Sequence, residues 1–120
     1  MSLRVGWLLF VCFLSLSSCK HDVDISGAPE VSFKFDVQSI ISGNCTESEC
    51  HGTNGQTFPL VTYNDIAGNV EPGNARNSKL YQSVTGKGGV SFMPPSSRQA
   101  LTNDQIRLIY IWIQQGAKNN

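Results

Sequence analysis

The sequence predicts an all-α domain in which a few helices are joined by long polar loops and little sheet is expected. Three observations lead there. Thr102-Asn-Asp-Gln105 is a capping box, and behind it Ile106, Ile109, Tyr110 and Ile113 recur on one helical face. Phe33 to Ser42 sets Val37, Ile40 and Ile41 on a single helical face, with Gly43 as the stop. Thr62-Tyr-Asn-Asp65 repeats the cap signature at the head of a short helix ending near Gly68.

Taken in order, Phe33 to Ser42 is the first helix, although its β-branched content makes a strand the alternative for its beginning. Gly43 to Phe58 is rich in Gly, Ser, Thr and Asn and reads as loop. The short Thr62 helix follows. Val70 to Asn77, interrupted by Pro72 and Gly73, is loop again. Ser78 to Thr85 is a short helix with Leu80, Tyr81 and Val84 on one side. Gly86 to Gln99 returns to loop, with paired Gly and paired Pro. In the terminal helix Leu101 and Ile106 stand at hydrophobic-staple positions, and Gly116 is the C-terminal stop. No internal repeat is present.

The first residues read as a leader. Arg4 gives a positive start, and Val5 to Leu16 is an apolar run too short to span a bilayer. The run ends in Leu16-Ser17-Ser18-Cys19, which resembles the lipobox of bacterial lipoproteins. That resemblance implies cleavage after Ser18 and acylation of Cys19, with membrane attachment through the lipid. The alternative is an ordinary signal peptide. The expected organisation is a signal peptide over 1–18, a flexible tether over 19–32 carrying lipidated Cys19, and one domain over 33–120. The tether is polar and without apolar period, and its dozen residues reach on the order of 20 Å.

Composition narrows the function. Nine Lys and Arg balance nine Asp and Glu, so there is no basic footprint for nucleic acid. Charged residues make up 15% of the chain, against ~25% in an average domain. A domain this small has a modest core, which a large buried cofactor would supplement.

Of the four cysteines, Cys12 falls in the leader and Cys19 at its end. Cys45 and Cys50 remain, in Cys45-Thr-Glu-Ser-Glu-Cys50-His51. A cysteine-bounded loop closing on Cys-His is the arrangement that attaches a c-type haem: two thiols add to the porphyrin vinyl groups and the adjacent imidazole reaches the iron. The usual spacer is two residues. Here it is four, and Glu47 stands where the shorter spacer has its first cysteine. The same residues also fit a small disulfide loop or part of a zinc site. The second axial position of a haem iron has a short list of donors. His21 lies two residues from Cys19 on the tether. Met93 sits in Ser91-Phe-Met-Pro-Pro95, where the prolines restrict the backbone around it. A thioether ligand raises the potential. Alone, Met93 also reads as an apolar loop anchor, and His51 as a solvated loop histidine.

The ordered set of helix, Cys-Cys-His, short helices, Met-Pro-Pro and capped terminal helix resembles small class I cytochrome c domains. It is most similar to the bacterial lipoprotein and planctomycete-type c domains that use a Cys-x4-Cys-His variant. The similarity rests on Cys45, Cys50, His51 and Gly52, then Leu60 to Tyr63, Val70-Glu-Pro-Gly73, Ser78-Lys-Leu80, Met93-Pro-Pro95, Leu101-Thr102, Trp112-Ile113 and Gly116-Ala117. It covers Phe33 to Ala117. The resemblance implies a cytochrome c-like fold around one covalent haem c, with thioethers at Cys45 and Cys50, His51 as proximal and Met93 as distal iron ligand. It implies an exported, lipid-anchored electron carrier facing periplasm or cell surface. Its partners would be redox proteins, with the chain a monomer or a subunit of a larger redox assembly. With both axial positions filled, no enzyme activity at the iron is expected. A haem-bearing sensor or interaction module, or a disulfide-stabilised binding domain without cofactor, are the other readings. Arg76, Lys79 and Lys87 are candidates to meet haem propionates or a redox partner, and a hollow is expected between His51 and Met93.

Overall fold

A computed structural model describes residues 22–120. The expected leader over 1–18, the expected acylation site Cys19 and His21 lie outside the described residues. Within them the chain is helical, with no strand. Four α-helices, α1 (Gln38–Asn44), α2 (Tyr63–Ala67), α3 (Lys79–Thr85) and α4 (Asn103–Gln114), are joined by loops. A π-helical turn at Phe33–Val37 leads into α1, and a 3₁₀ turn at Ala75–Asn77 precedes α3. No helix among the described residues is long and apolar enough to cross a membrane.

The two Thr caps form as their local chemistry dictates. Thr62 accepts from the Asp65 amide while the Asp65 carboxylate accepts from the Thr62 amide at 2.7 Å. That second bond, from the Thr62 backbone, holds the Asp65 carboxyl below the usual carboxylate range. Thr102 and Gln105 make the same reciprocal pair at the head of α4. The tail of α4 is a Schellman motif. The Gly116 amide donates to Ile113 (3.0 Å) and the Ala117 amide to Trp112 (2.9 Å), with Gly116 at φ +100°.

The core is built on α4. Ile109, Trp112 and Ile113 are fully buried, and Tyr110 and Ile111 nearly so. Five consecutive buried residues exceed one helical face, because α4 is covered on two sides. The Phe33 ring lies 5.6 Å from Trp112 on one side, and Tyr81 of α3 lies 5.4 Å from Tyr110 on the other. The Tyr63 ring meets Phe33 edge-on at 5.0 Å, and its hydroxyl donates to the Ala117 carbonyl. Each such buried side chain contributes roughly 1.5–3 kcal/mol over its exposed state.

Three stretches differ from the sequence expectation, each for a non-local reason. The first helix runs through Gly43 to Asn44, and the Cys45 amide still donates to Ile41. Gly43 does not take the left-handed φ by which a glycine closes a helix, so it does not stop this one. The start of that helix is a π-turn rather than a strand. Ser32 caps it, and Asn120 accepts from the Phe33 and Lys34 amides. The loop of the seventies contains the 3₁₀ turn, pinned where the Ala75 amide donates to the Gln114 side chain and the Gly73 amide to the Ile113 carbonyl.

The end of the expected tether is fastened to the domain. Val31 is buried, and its amide donates to the Gln115 side chain, which donates in turn to the Pro29 carbonyl. Ile25 and Ala28 pack on the core. An apolar residue every third position from Ile25 supplies what a wholly polar tether would lack: surface to bury against α4.

Candidate functional site

Cys45 ends α1, and the four residues after it fold back at once. The Cys50 amide donates to the Glu47 carbonyl at 2.9 Å, closing a β-turn over Glu47-Ser-Glu-Cys50. Glu49, its third residue, has φ +75°, the left-handed position that a type II turn requires. The His51 amide then donates to the Cys45 carbonyl at 2.9 Å. The four residues between the cysteines are thus taken up as one turn, and the His51–Cys45 backbone bond clamps the base of the loop.

Two glycines allow the chain to pack against this loop. A Cβ on Gly52 would stand 2.6 Å from the Thr46 carbonyl oxygen, and one on Gly55 would stand 1.9 Å from that of Cys50. Both neighbours are backbone, so no side chain can move aside. Beyond them the Leu60 amide donates to the His51 carbonyl at 2.8 Å, so both the amide and the carbonyl of His51 are held by backbone.

The imidazole is oriented as well as placed. His51 Nδ1 lies 2.8 Å from the Phe58 carbonyl oxygen and 3.0 Å from Thr57 Oγ1. A carbonyl can only accept. The Thr57 hydroxyl gives its one proton to the Cys50 carbonyl at 3.1 Å and turns a lone pair to the ring. The Nδ1 atom therefore carries the proton, and the neutral ring keeps its lone pair on Nε2. A second-sphere carbonyl that fixes the tautomer in this way is the usual companion of a metal-binding imidazole. The Phe58 ring lies against His51, centroids 4.6 Å apart and planes tilted by 50°.

Met93 approaches from the other chain end of the site. Its amide donates to the Ser83 carbonyl of α3 at 2.9 Å, and the Met93–Pro94 bond is cis. Two hollows meet here. The larger, about 310 Å³, is mostly apolar and runs from Cys45, His51 and Phe58 to Leu80, Val84 and Met93. Its size is at the lower end for ligand pockets. The smaller, about 170 Å³, lies between Cys50, His51, Met93, Pro94 and Arg98. Cys45, His51 and Met93 line both.

Of the expected site residues the structure brings Cys45, Cys50, His51 and Met93 round one space. Lys79 joins the wall of the larger hollow. Arg76 instead pairs with Asp22 at 2.6 Å, and Lys87 is an exposed loop residue. Thr57 and Phe58, which set the imidazole, carry no sequence signal: a threonine and a phenylalanine in a polar loop are ordinary. Among the described residues no three His, Cys, Asp or Glu side chains come together as a metal-binding group. A structural zinc needs about four such ligands, whereas a porphyrin brings its own four nitrogens and asks the protein for two.

Both thiols are free in this structure. Burial, with a smaller push from Cys50, raises the Cys45 thiol to about 11. At pH 8 about one Cys45 in a thousand is then thiolate, the reactive form. Cys50 is only half-buried. Iodoacetamide should accordingly label Cys50 well before Cys45 in haem-free protein, as followed by peptide mass. Equal labelling rates would contradict the burial of Cys45.

Compared with protein-family models, with curated proteins and with solved structures, the chain finds no match in any of the three.

Proposed function

We propose that this chain is a monohaem c-type cytochrome that carries electrons between redox partners while tethered to a bacterial membrane through Cys19. The observation that carries the reading is the convergence of Cys45, His51 and Met93 on the walls of both hollows. The residues fit the group in their chemistry. Two free thiols flank the space, an imidazole presents Nε2 with its tautomer fixed by the Phe58 carbonyl, and a thioether stands on a backbone-anchored loop. Bound iron would supply a one-electron couple. Cys45 and Cys50 would hold the porphyrin covalently, and His51 and Met93 would be the axial ligands.

The remaining work belongs to the chain. The Phe58 carbonyl, by accepting from Nδ1, makes the imidazole a stronger donor. Leu60, Leu80 and Val84 give the larger hollow buried apolar walls, which would favour the less charged, reduced state of a bound iron. Met93 favours the same state, because a thioether is a soft, neutral donor. With His51 and Met93 both holding the iron, no position would be left for a substrate, which favours a carrier over an enzyme.

The test is spectroscopic. Natively produced ferric protein should show the methionine–iron charge-transfer band, and its potential should be reversible without change of ligation. Met93→Ala should abolish the band and lower the potential. A band that survives this substitution would remove Met93 from the ligand set. Carbon monoxide binding to the reduced wild-type protein would move the reading to a gas sensor.

A further inference from the structure

The four-residue spacer carries an acidic side chain that a two-residue spacer has no place for, and that side chain has a partner. The Glu47 carboxylate is paired with the Arg98 guanidinium. Arg98 belongs to the segment that follows Met93, and its amide donates to the Pro95 carbonyl at 2.8 Å, turning Pro95–Arg98 back on itself. Arg98 also stands in the wall of the smaller hollow beside Cys50, His51, Met93 and Pro94. The Met93 loop is therefore held at two points. Its start is tied to α3 by the Met93 amide and the Ser83 carbonyl. Its end is tied to the attachment loop by the Arg98–Glu47 ion pair.

We infer that the Glu47–Arg98 pair is a latch, which keeps the Met93 loop closed over the site and so makes Glu47 and Arg98 positioning residues for the sixth ligand. The inference rests on the haem reading above. The extra length of the spacer then has a use: the β-turn at Glu47–Cys50 carries the carboxylate to where the Met93 loop returns. The Glu47 and Arg98 side chains are 56% and 38% exposed, so the pair is screened by water and salt and its strength is modest. A modest latch suits this task, because it shifts how often the loop opens and leaves the fold alone.

An external ligand such as imidazole can bind ferric iron only when the Met93 loop is open, so its apparent affinity scales with the open fraction. In the ferric holoprotein, E47Q and R98Q should each bind imidazole about three- to fivefold more tightly than wild type, in keeping with the strength of an exposed pair. The double variant should bind no more tightly than either single one. The charge swap, Glu47→Arg with Arg98→Glu, should return the affinity towards wild type. Added salt should tighten imidazole binding in wild type and leave the single variants unmoved. Single variants equal to wild type, additive effects in the double variant, or an affinity indifferent to salt would each overturn the latch. If wild-type protein lacks the methionine band, it is the haem-ligand reading that fails, and this is seen before any variant is compared.

Discussion

Trp112→Ala should remove about 3–5 kcal/mol of stability, the largest loss expected from any single change in this chain. Trp112 is fully buried, its ring packs on Phe33, and its Nε1–H donates to the Lys118 carbonyl at 2.9 Å. Truncation leaves a cavity in the middle of α4 and strips the Lys118 carbonyl of its donor. A small domain has about 5–15 kcal/mol in all, so the variant should melt far below wild type. Yet no residue of α4 lines either hollow of the site. Whatever fraction of the variant folds should therefore keep wild-type ligand bands. Denaturation followed by circular dichroism, with the visible spectrum read beside it, separates the two effects. A loss under 1 kcal/mol would contradict the placement of Trp112 at the centre of the core.

Gly55→Ala should do the reverse. A methyl group there would stand 1.9 Å from the Cys50 carbonyl oxygen, and the clash is with backbone. Relief requires moving either Gly55 or the Cys50 peptide, and the Cys50 carbonyl also takes the Thr57 proton. Forced overpacking of this kind costs about 1–3 kcal/mol, which lowers the melting temperature by ~4–8 °C for each kcal/mol in a domain of this size. The more telling change is local. The shift reaches Cys50 and, through Thr57, the imidazole of His51, so the yield of haem-loaded protein should fall more than stability does. Equal yield of haem-loaded protein from Gly55→Ala and wild type would mean that the loop closes in some other way.

What the sequence disclosed follows the range of the interactions. Both Thr caps were legible because donor and acceptor lie three residues apart. The end of α4 was legible because a glycine at φ +100° is a local requirement. The π-turn at Phe33–Val37 was not, since its first amides are satisfied by Asn120 at the other end of the chain. The 3₁₀ turn at Ala75–Asn77 depends in the same way on Gln114. Helix α1 outran Gly43 because Ile41 and Cys45, on the buried side, decide its length and exposed Gly43 does not. The tether was read from polarity, and the contacts of Val31 and Ile25 with the core lie too far along the chain to be seen that way.

The site divides along the same line. Cys45, Cys50 and His51 form a local motif, and Met93 stood out as the methionine set between a polar loop and two prolines. The groups that make these four work together come from elsewhere: the Phe58 carbonyl on Nδ1, the Ser83 carbonyl on the Met93 amide, and Arg98 on Glu47. A backbone carbonyl leaves no mark in a sequence. An arginine and a glutamate 51 positions apart look like any two surface charges until the fold joins them.

The account turns on two sulfur–carbon bonds. The direct measurement is the mass of the proteolytic peptide spanning Cys45 to His51, taken from protein made in its native host. The account predicts one haem on that peptide, held through both cysteines and retained in acidified acetone. An unmodified peptide, or one whose two cysteines are joined to each other, would contradict it.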